Sequence, residues 1–342
     1  MQVATVGIDI GKTCFHVVGF DARGGIVLQR RYSRRQLVRA FTTLPACRVG
    51  MEACSGAHHL GRLLTTLGHD VRLIPPQYVK PFVKSQKNDV RDAEAIGEAV
   101  QRPTMRFVPL KSVAQLDLQA VHRVRARLVG RRTAVINQMR GLLLERGVTC
   151  AVGRRALLER LPAVLEQPIG DVTPRFCRLV QQLREEWRQL DGAIREADDE
   201  LATLARESEA CSRLTQVPGI GPVTATALVA AVGNAAAFRT GRGLAAWLGL
   251  VPRQHSTGGK TTLGPISKRG DAYLRTLFIH GARAVYRHQR QRRHRVGQWL
   301  AHLEARAHPN VVVVALANKL VRTAWAMLQR DVPYDGRLQA YA

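Results

Sequence analysis

The sequence predicts an α/β domain at the amino end of the chain, followed by a long helical middle and a mainly helical carboxyl-terminal block. Over residues 1–108, short β-branched runs alternate with amphipathic segments, as in sheets that are covered by helices. From residue 112 to residue 207, apolar side chains recur at intervals of three or four, which indicates long helices. We therefore expect domains at 1–108, 109–210 and 211–342.

The first domain opens with two β-branched runs on either side of Gly11-Lys12, and Asp9 lies near the end of the first run. Apolar neighbours on both sides of Asp9 indicate a buried strand that presents this carboxylate at a site, because an isolated buried acid is costly. The remaining pattern predicts strands over 26–32, 48–52 and 71–75, and helices over 34–44, from a Ser55 cap to Gly68, and over 89–100.

The middle of the chain predicts two long helices that are separated by a hinge. Residues 112–148 predict one arginine-rich helix, and the prolines and glycines of 147–174 indicate the hinge. The next segment carries an apolar stripe that steps by threes and fours through Leu179, Leu183, Trp187, Leu190, Ile194, Ala197, Leu201 and Leu204. This heptad-like stripe predicts either a helical hairpin packed on its own chain or an oligomerising coiled coil.

The composition indicates a polyanionic partner. Lys and Arg number 52 against 26 Asp and Glu, which is a formal net charge of +26. Such an excess favours nucleic acid first and an anionic membrane surface second. Thirteen of the cations and a single acid, Asp271, fall between residues 239 and 295, so we expect a binding face there.

Three features that the sequence lacks indicate the cellular location of the protein. No run of about 18 apolar residues suggests a membrane span, and no signal-peptide pattern opens the chain. The six cysteines never form a C-x-x-C pair, which argues against a zinc site or a disulfide framework. We therefore expect a cytoplasmic prokaryotic protein, without a membrane span, that associates with the nucleoid when it acts.

Four acids of the first domain stand where a metal site would need them. Asp9 and Glu52 lie at the ends of predicted strands, and Asp89 and Asp92 open a predicted helix on one face. Each acid alone has a structural explanation, such as the preference of a helix dipole for negative charge. Together, four hard oxygen donors predict a site for Mg²⁺ or Mn²⁺, and a pair of such ions can bridge a scissile phosphate.

A second interpretation of the first stretch stays open. Asp9-Ile-Gly-Lys-Thr13 in a hairpin resembles the phosphate-binding turn of sugar kinases and actin-like ATPases. Those folds need a second glycine-rich loop for adenosine. The glycines at 219–221 and 258–259 lie outside the α/β domain and in different surroundings.

Two glycine-rich elements of the carboxyl-terminal block suit phosphate contact. Pro218-Gly-Ile-Gly221 predicts a helix-hairpin-helix turn, in which Gly219 and Gly221 let backbone N–H groups face a nucleic-acid phosphate. A packing joint that uses glycine for close approach is the alternative.

The second element, residues 248–270, predicts a mobile or closely approaching loop in which hydroxyls are interleaved with cations. Lys260, Lys268 and Arg269 would bind phosphate. The hydroxyls, Ser256 among them, would either hydrogen-bond the phosphate or supply a nucleophile. An attacking serine needs activation, and a metal-polarised phosphate is a better source of it than the adjacent His255, which we expect to point elsewhere.

The order of these motifs resembles the IS110/IS1111 family of insertion-sequence transposases. The resemblance rests on Asp9 in a first strand, Glu52-Ala-Cys-Ser-Gly56, Asn88-Asp-x-x-Asp-Ala93, a central helical hairpin, Pro218-Gly-Ile-Gly221 and Ser256-Thr-Gly-Gly-Lys260. Each motif is short, but their order and spacing cover nearly the whole chain and are highly specific together.

The resemblance implies a RuvC-like first domain with the ribonuclease H fold, in which Asp9, Glu52, Asp89 and Asp92 hold Mg²⁺. It implies a transposase domain in which Ser256 matches the catalytic serine. Members of the family are RNA-guided recombinases: a bridge RNA pairs with donor and target DNA, and serine attack gives a covalent phosphoserine before strand exchange through a Holliday-junction-like intermediate. The helical middle would assemble a dimer or tetramer, with the serine of one subunit completing the acidic site of another.

Two other functions remain open from the residues alone. In a hydrolytic junction nuclease of the same fold, a metal-bound water would attack and Ser256 would only bind phosphate. In a non-catalytic nucleic-acid scaffold, the four acids would be dispensable for every activity.

Overall fold

A computed structural model describes residues 2–84, 88–166, 171–289 and 295–334. The chain divides into two compact units, Met1–Ser112 and Val113–Ala342. The expected division of the second unit between residues 210 and 211 stays a prediction.

The first unit contains a five-stranded sheet and its covering helices. Its elements are β1 (Thr5–Ile10), β2 (Cys14–Phe20), β3 (Ile26–Ser33), α1 (Arg34–Thr43), β4 (Arg48–Glu52), α2 (Ala57–Thr66), β5 (Asp70–Ile74), α3 (Pro76–Val79), a 3₁₀ turn (Lys80–Phe82) and α4 (Asp89–Ala99).

The sheet is mixed, in the order β3-β2-β1-β4-β5. β1 pairs antiparallel with β2 and parallel with β4, which in turn pairs parallel with β5. On one face, Val6 and Ile8 of β1 pack in a core with Phe41 of α1 and Leu60 of α2. On the other face, Phe20 of β2 packs against α4. The predicted α/β domain is confirmed, and its sheet contains both parallel and antiparallel pairs.

The predicted cap of α2 is wrong by one residue. Gly56, not Ser55, is the N-cap, and its φ of 90° lies in the left-handed region that glycine adopts readily. The chain has to turn sharply after Glu52, where the Cys54 N–H bonds the Glu52 carbonyl at 2.9 Å. Gly68, with a φ of 94°, ends this part of the chain as the sequence predicts.

The second unit is mostly helical. Its elements are α5 (Val113–Leu144), α6 (Arg154–Glu166), α7 (Pro174–Glu207), α8 (Glu209–Thr215), α9 (Pro222–Val232), α10 (Gly241–Trp247), β6 (Pro252–Thr257), β7 (Lys260–Ile266), α11 (Ala272–Gln289), α12 (Arg295–Glu304) and α13 (Pro309–Arg330).

Two predictions for this unit need correction. The expected hinge over 147–174 contains α6, because Leu157, Leu161 and Val164 recur at helical spacing and are buried in a core with α5 and α7. The expected mobile loop over 248–270 contains the two-stranded hairpin β6-β7. The sequence does not predict this strand, because every residue of β6 is exposed and no alternation of apolar and polar residues marks it.

The long helices α5 and α7 pack antiparallel, as a helical hairpin requires. Ion pairs join Arg131 to Glu186 and Arg132 to Asp191. Trp187, Leu190, Ile194 and Leu201 of the predicted stripe are buried within the chain itself. Leu179 is not part of the buried face, with 49% of its surface exposed, because Phe176 and Val180 occupy the buried positions in that turn.

Among the described residues, one helix, α13, is long and apolar enough to span a membrane by length and composition alone. Its buried residues, including Val312, Leu316, Val321 and Met327, form the centre of the large hydrophobic core of the second unit. Packing within the protein therefore accounts for its apolar composition.

A buried hydrogen-bond chain joins three helices of the second unit. His122 of α5 is 4% exposed; its Nε2 lies 3.0 Å from Thr226 Oγ1 of α9, and its Nδ1 lies 3.1 Å from Tyr273 Oη of α11. Thr226 donates its hydroxyl to the Pro222 carbonyl at 2.7 Å. The Thr226 oxygen must then accept from Nε2, so neutral His122 accepts the Tyr273 hydroxyl at Nδ1. Burial lowers the pKa of His122 to about 4.

Acid should weaken this joint through His122. A lowered pKa means that the unfolded chain binds this proton more readily, so the stability that depends on neutral His122 is complete above pH 6.5 and is lost as the pH falls towards 4. We expect His122→Gln to remove up to about 3 kcal/mol of the pH dependence of unfolding in that window. Denaturant titrations at pH 7 and pH 5 measure it. His302→Gln, on the exposed side of α12, is the control, and equal pH dependence in wild type and His122→Gln would contradict the assignment.

Candidate active site

The register of β1 and β4 places two of the four acids side by side. Gly7 pairs with Gly50 and Ile8 with Met51 across the parallel strands, so Asp9 and Glu52 are the next residues on adjacent strands. Because side chains alternate along a strand, Asp9 shares a face with Gly7, and Glu52 shares that face with Gly50. Both acids therefore point to the side of the sheet that α4 covers.

Glycine lets α4 lie unusually close to this face. A Cβ atom on Gly7 would come within 2.0 Å of the Ala93 carbonyl oxygen and 2.4 Å of the Gly97 nitrogen. A Cβ on Gly97 would come within 2.2 Å of the Phe20 ring, and one on Gly50 within 2.8 Å of Val100. No other residue type fits these positions without moving the helix, so the glycines bring the start of α4 up to β1 and β4.

The first turn of α4 supplies the other two acids. Asn88 caps the helix by accepting the Val90 N–H at 3.0 Å. Asp89 and Asp92 follow in the first turn, where the helix dipole favours negative charge. The spacing of three that the sequence shows thus lies on the helix, at the end that approaches Asp9.

Electrostatic coupling shows that the four carboxylates are neighbours. Burial raises the pKa of Asp9, and the charges of Asp89 and Asp92 raise it further, while His16 and the Ile10 backbone N–H oppose the shift. Burial also raises the pKa of Glu52, and Asp9 and Asp92 add to that shift. The structure therefore brings together all four acids that the sequence singles out.

His16 is a site residue that the sequence analysis missed. It pairs with Asp9 across the β1-β2 hairpin, and its Nδ1 lies 3.6 Å from Asp89 Oδ2. A two-residue turn at Gly11-Lys12 would place Cys14 opposite Asp9. The observed hairpin is instead centred on Lys12-Thr13, where the Gly11 N–H bonds the Cys14 carbonyl at 3.0 Å, and this register places His16 opposite Asp9.

The chemistry of this donor set fits a divalent cation. Burial and neighbouring acids raise the pKa of Asp9 and of Glu52. A hard positive ion would relieve this, and Mg²⁺ and Mn²⁺ prefer carboxylate oxygens. No three His, Cys, Asp or Glu side chains in the described part of the chain are already arranged to ligate an ion.

Ser256 lies on the β6-β7 hairpin, close to its tip. Gly258 and Gly259 form a two-residue turn with φ values of 56° and 78°, the backbone of a type I′ turn. Ser256 pairs with Thr261, and the two hydroxyl oxygens are 3.1 Å apart. Gln254 Nε2 donates to Ser256 Oγ at 3.0 Å.

Strand alternation separates the side chains around this serine into two groups. Gln254, Ser256 and Thr261 share one face of the hairpin, whereas His255 and Lys260 belong to the other. His255 thus points away from Ser256, as expected from the sequence. Lys260, which the sequence placed in one phosphate-binding group with Ser256, lies on the opposite face.

The base of the hairpin is fastened to two helices. Arg275 Nη1 of α11 donates to the carbonyls of Leu248 and Arg269, at 2.9 and 3.0 Å. Asn318 of α13 donates to the Leu250 carbonyl at 3.2 Å. The exposed Lys268 and Arg269 follow directly after β7 at this base, so their side chains stand at the foot of the hairpin rather than beside Ser256.

The two glycines of the turn between α8 and α9 have different surroundings. Gly219, with a φ of 94°, packs so tightly on α11 that a Cβ on Gly281 would lie 1.9 Å from the Gly219 carbonyl oxygen. Gly221 is exposed, is the N-cap of α9 and has open space at its Cα. Close packing explains Gly219 without a ligand, whereas only Gly221 lies where a phosphate could reach the helix end.

Comparison with known proteins gives concordant matches over both units. A family model described as Transposase matches residues 6–146, and one described as Transposase IS116/IS110/IS902 family matches residues 211–297. A "Probable family 20 transposase" of Pseudomonas aeruginosa is 48% identical over 98% of this chain and 99% of its own length. The "Transposase for insertion sequence element IS1111A" of Coxiella burnetii is 44% identical over 97% and 92%, and that of IS1328 of Yersinia enterocolitica is 43% identical over 98% and 99%.

The glycine contact under α4 should be indispensable to the acid cluster. We expect Gly7→Ala to destabilise the first unit by at least about 2 kcal/mol, because its Cβ meets a helix backbone that cannot rotate away. Gly130→Ala in α5 is the control, since open space surrounds Gly130 and alanine should stabilise that helix by about 0.5–1 kcal/mol. Urea unfolding measures both, and a neutral Gly7→Ala would contradict the packing.

Removing one acid should stabilise the protein when divalent ions are absent. Because the pKa of Asp9 is raised above 3.8, its ionised form opposes folding, and this opposition grows as the pH rises through that pKa. We expect Asp9→Asn to melt about 2–4 °C higher than wild type at pH 7, the scale of roughly 1 kcal/mol, with the gap closing near pH 4.

Added Mg²⁺ should reverse the order by stabilising only the wild type. Asp70→Asn is the control, because Asp70 is paired with Arg48 and Arg72 and its loss should bring no gain. A wild-type melting temperature that ignores Mg²⁺ would count against a metal site.

Proposed function

The chain belongs to the IS110/IS1111 family of insertion-sequence transposases, so it acts in DNA transposition, and on that premise we propose how its residues perform the reaction. In this proposal, Asp9, Glu52, Asp89 and Asp92 form the metal-binding half of the active site, and Ser256 is the nucleophile. The convergence of the four acids at the contact between β1, β4 and α4 is the observation that carries it. Kinase or ATPase activity finds no support among the matches.

The proposed fold of the first unit is RuvC-like, with the ribonuclease H arrangement. Three antiparallel strands followed by two parallel ones, in the order β3-β2-β1-β4-β5, support it. In this arrangement the acid on β1 and the acid that ends β4 are neighbours, and a helix that crosses the sheet brings the remaining two.

The metal in this proposal is Mg²⁺ or Mn²⁺, held by the four carboxylates. When bound, it would neutralise charge on the scissile phosphate and on the leaving oxygen. His16 contacts Asp89 and so restrains one ligand, which makes it a positioning residue. A carboxylate binds a metal only after it has lost its proton. Because the pKa values of Asp9 and Glu52 are raised, acidification should reduce activity at a higher pH than it would with ordinary carboxylates.

Ser256 would attack phosphorus through Oγ. A bond from Oγ to phosphorus forms, and the bond from phosphorus to one sugar oxygen breaks. The serine hydroxyl loses one proton, and the departing sugar oxygen gains one to become a hydroxyl. Because one phosphodiester replaces another, rejoining needs no external energy source. The Gln254 amide N–H, which already bonds Ser256 Oγ, supports the proposal because it can stabilise negative charge on that oxygen.

The proposed partners are donor and target DNA together with a bridge-type non-coding RNA. The net charge of +26 and the exposed cations Lys260, Lys268 and Arg269 support contact with more than one nucleic-acid backbone. Exposed Gly221 is proposed to contact a phosphate as well, and Gly219 to hold its turn in place. A dimer or tetramer, assembled through the region 109–210, is the proposed working form.

Ser256→Ala should abolish the covalent protein–DNA adduct. The assay combines purified protein, Mg²⁺, element-end DNA and RNA transcribed from the element's flank, and a denaturing gel resolves the adduct. We expect a loss of at least about 10³-fold, the scale on which removal of a nucleophile acts. Asp92→Asn should lose the adduct too. Thr257→Ala, a hydroxyl on the opposite face of the hairpin, is the control and should retain it.

Two results would replace this proposal. Strand cleavage that persists in Ser256→Ala without an adduct would indicate a hydrolytic junction nuclease. Binding of DNA and RNA with no difference between any variant and wild type would indicate a scaffold.

Omission of the flank-derived RNA should remove adduct formation while DNA binding persists. The physical reason is that phosphate contacts bind DNA without reading its sequence, so alignment of the scissile bond would depend on base pairing. An RNA of the same length and scrambled sequence is the control. An equal adduct yield without RNA would contradict RNA guidance.

A further inference from the structure

A charged groove lies between the helices α5, α6 and α7. It includes none of the four acids of the candidate active site and no residue of the β6-β7 hairpin. Its volume is about 690 Å³, and its lining includes Arg132, Arg154, Arg184, Trp187, Arg188 and Arg195. Three acids, Glu185, Asp191 and Asp198, also line it. What the groove can bind depends on which of these groups already have partners.

The acids of the groove are already occupied. Asp191 accepts from Arg132 at 2.8 Å and from Arg154 at 3.1 Å. Glu185 accepts both ends of the Arg188 guanidinium. Asp198 accepts from Arg125. No carboxylate in the groove is therefore left to attract a cation.

The unoccupied groups are all donors. Arg184 and Arg195 are exposed and form no ion pair or hydrogen bond within the described residues. Trp187 is 1% exposed, and its Nε1 is the one buried side-chain nitrogen or oxygen without a hydrogen-bond partner across the ranges that the structure describes. An indole N–H can only donate, and a buried donor without a partner lowers the stability of the folded protein.

The arginines repeat along one face of α7. Arg184, Arg188 and Arg195 are separated by four and seven residues, so they lie in one row. The row from Arg184 to Arg195 is about 16 Å long at 1.5 Å per residue. This length matches about five nucleotides of a stacked strand, which rises about 3.4 Å per phosphate.

We propose that this groove binds the phosphodiester backbone of a nucleic-acid strand. Arg184 and Arg195 would each grip a phosphate through the planar guanidinium, which matches phosphate geometry. Trp187 lines the groove, but its Nε1 is covered, so it would donate to a phosphate oxygen between the two arginines only after the side chains over it shift. The ligand must be an acceptor-rich anion because every group without a partner is a donor. This binding site goes beyond the proposed function, since it does not depend on which residues cut DNA.

The test compares two charge-matched double variants of the full chain. Arg184→Ala with Arg195→Ala removes the two unpaired guanidiniums of the groove. Arg175→Ala with Arg178→Ala removes two exposed arginines of the same helix that do not line the groove. Fluorescence anisotropy measures binding of a 12-nucleotide RNA and of a single-stranded DNA of the same sequence, each over a range of salt concentrations.

We expect the groove variant to bind at least one strand type about tenfold more weakly, and its salt slope to fall by about 1.4, the value for two lost phosphate contacts on a single strand. The control variant should change affinity less than twofold. The RNA and DNA arms tell which strand the groove holds. Equal losses in the two variants for both strands would show diffuse electrostatic attraction and would overturn the proposal.

A second readout follows the indole itself. In protein labelled with ¹⁵N-tryptophan, the Nε1–H resonance that disappears in Trp187→Phe belongs to Trp187. We expect this resonance to shift when the oligonucleotide is added to wild type, and to stay in place in the groove variant. No shift at saturating oligonucleotide, or an equal shift with polyglutamate, would overturn phosphate recognition by the groove. Strand cleavage is not part of either readout, so failure of Ser256 as a nucleophile would leave this test unchanged.

Discussion

The close contact between α4 and the sheet is the constraint on which the acidic site depends. Gly7 and Gly50 stand two residues before Asp9 and Glu52 on adjacent strands, and both glycines face the helix that carries Asp89 and Asp92. A side chain at either glycine would lift α4 and separate the two pairs of acids. Because side chains alternate along a strand, each glycine lies on the same face as the acid two residues after it. The acids therefore point at α4 from strands whose preceding residue on that face has no side chain to keep α4 away.

This packing holds like charges together in a half-buried place. Asp9 and Glu52 are less acidic than free carboxylates because burial and the neighbouring acids oppose their ionisation. Such a site is unfavourable for the empty protein and favourable for a divalent ion, which is typical of sites that serve chemistry at the expense of stability. Other acids of this chain, such as Asp70, Asp191 and Asp198, pair with arginines, whereas the four acids of this cluster stand where a divalent cation could balance their charge.

The second unit holds its candidate nucleophile differently. Ser256 lies on an exposed hairpin with no hydrophobic face, and the hairpin is positioned by its base, where Arg275 and Asn318 bind the backbone. Tyr273, two residues before Arg275 on α11, belongs to the buried chain of hydrogen bonds with His122 and Thr226. Neighbouring residues of α11 therefore fasten the hairpin and bond the long helix α5, so α11 links the two.

The amino-acid pattern alone determined the order of the strands in the first domain, its α/β class, the two long helices and the four acids, because periodicity and carboxylates placed at element ends are local properties. Local pattern also determined the family, since the order of short motifs survives in the sequence. Only the tertiary structure decided that Asp9 opposes His16, that Gly7 and Gly97 touch, and that Gly219 packs on Gly281. These facts depend on strand register and on the distance between elements far apart in the chain, which no local pattern encodes. The hairpin at Ser256 is also visible only in the tertiary structure, because an exposed strand lacks the alternation of apolar and polar residues from which strands are predicted.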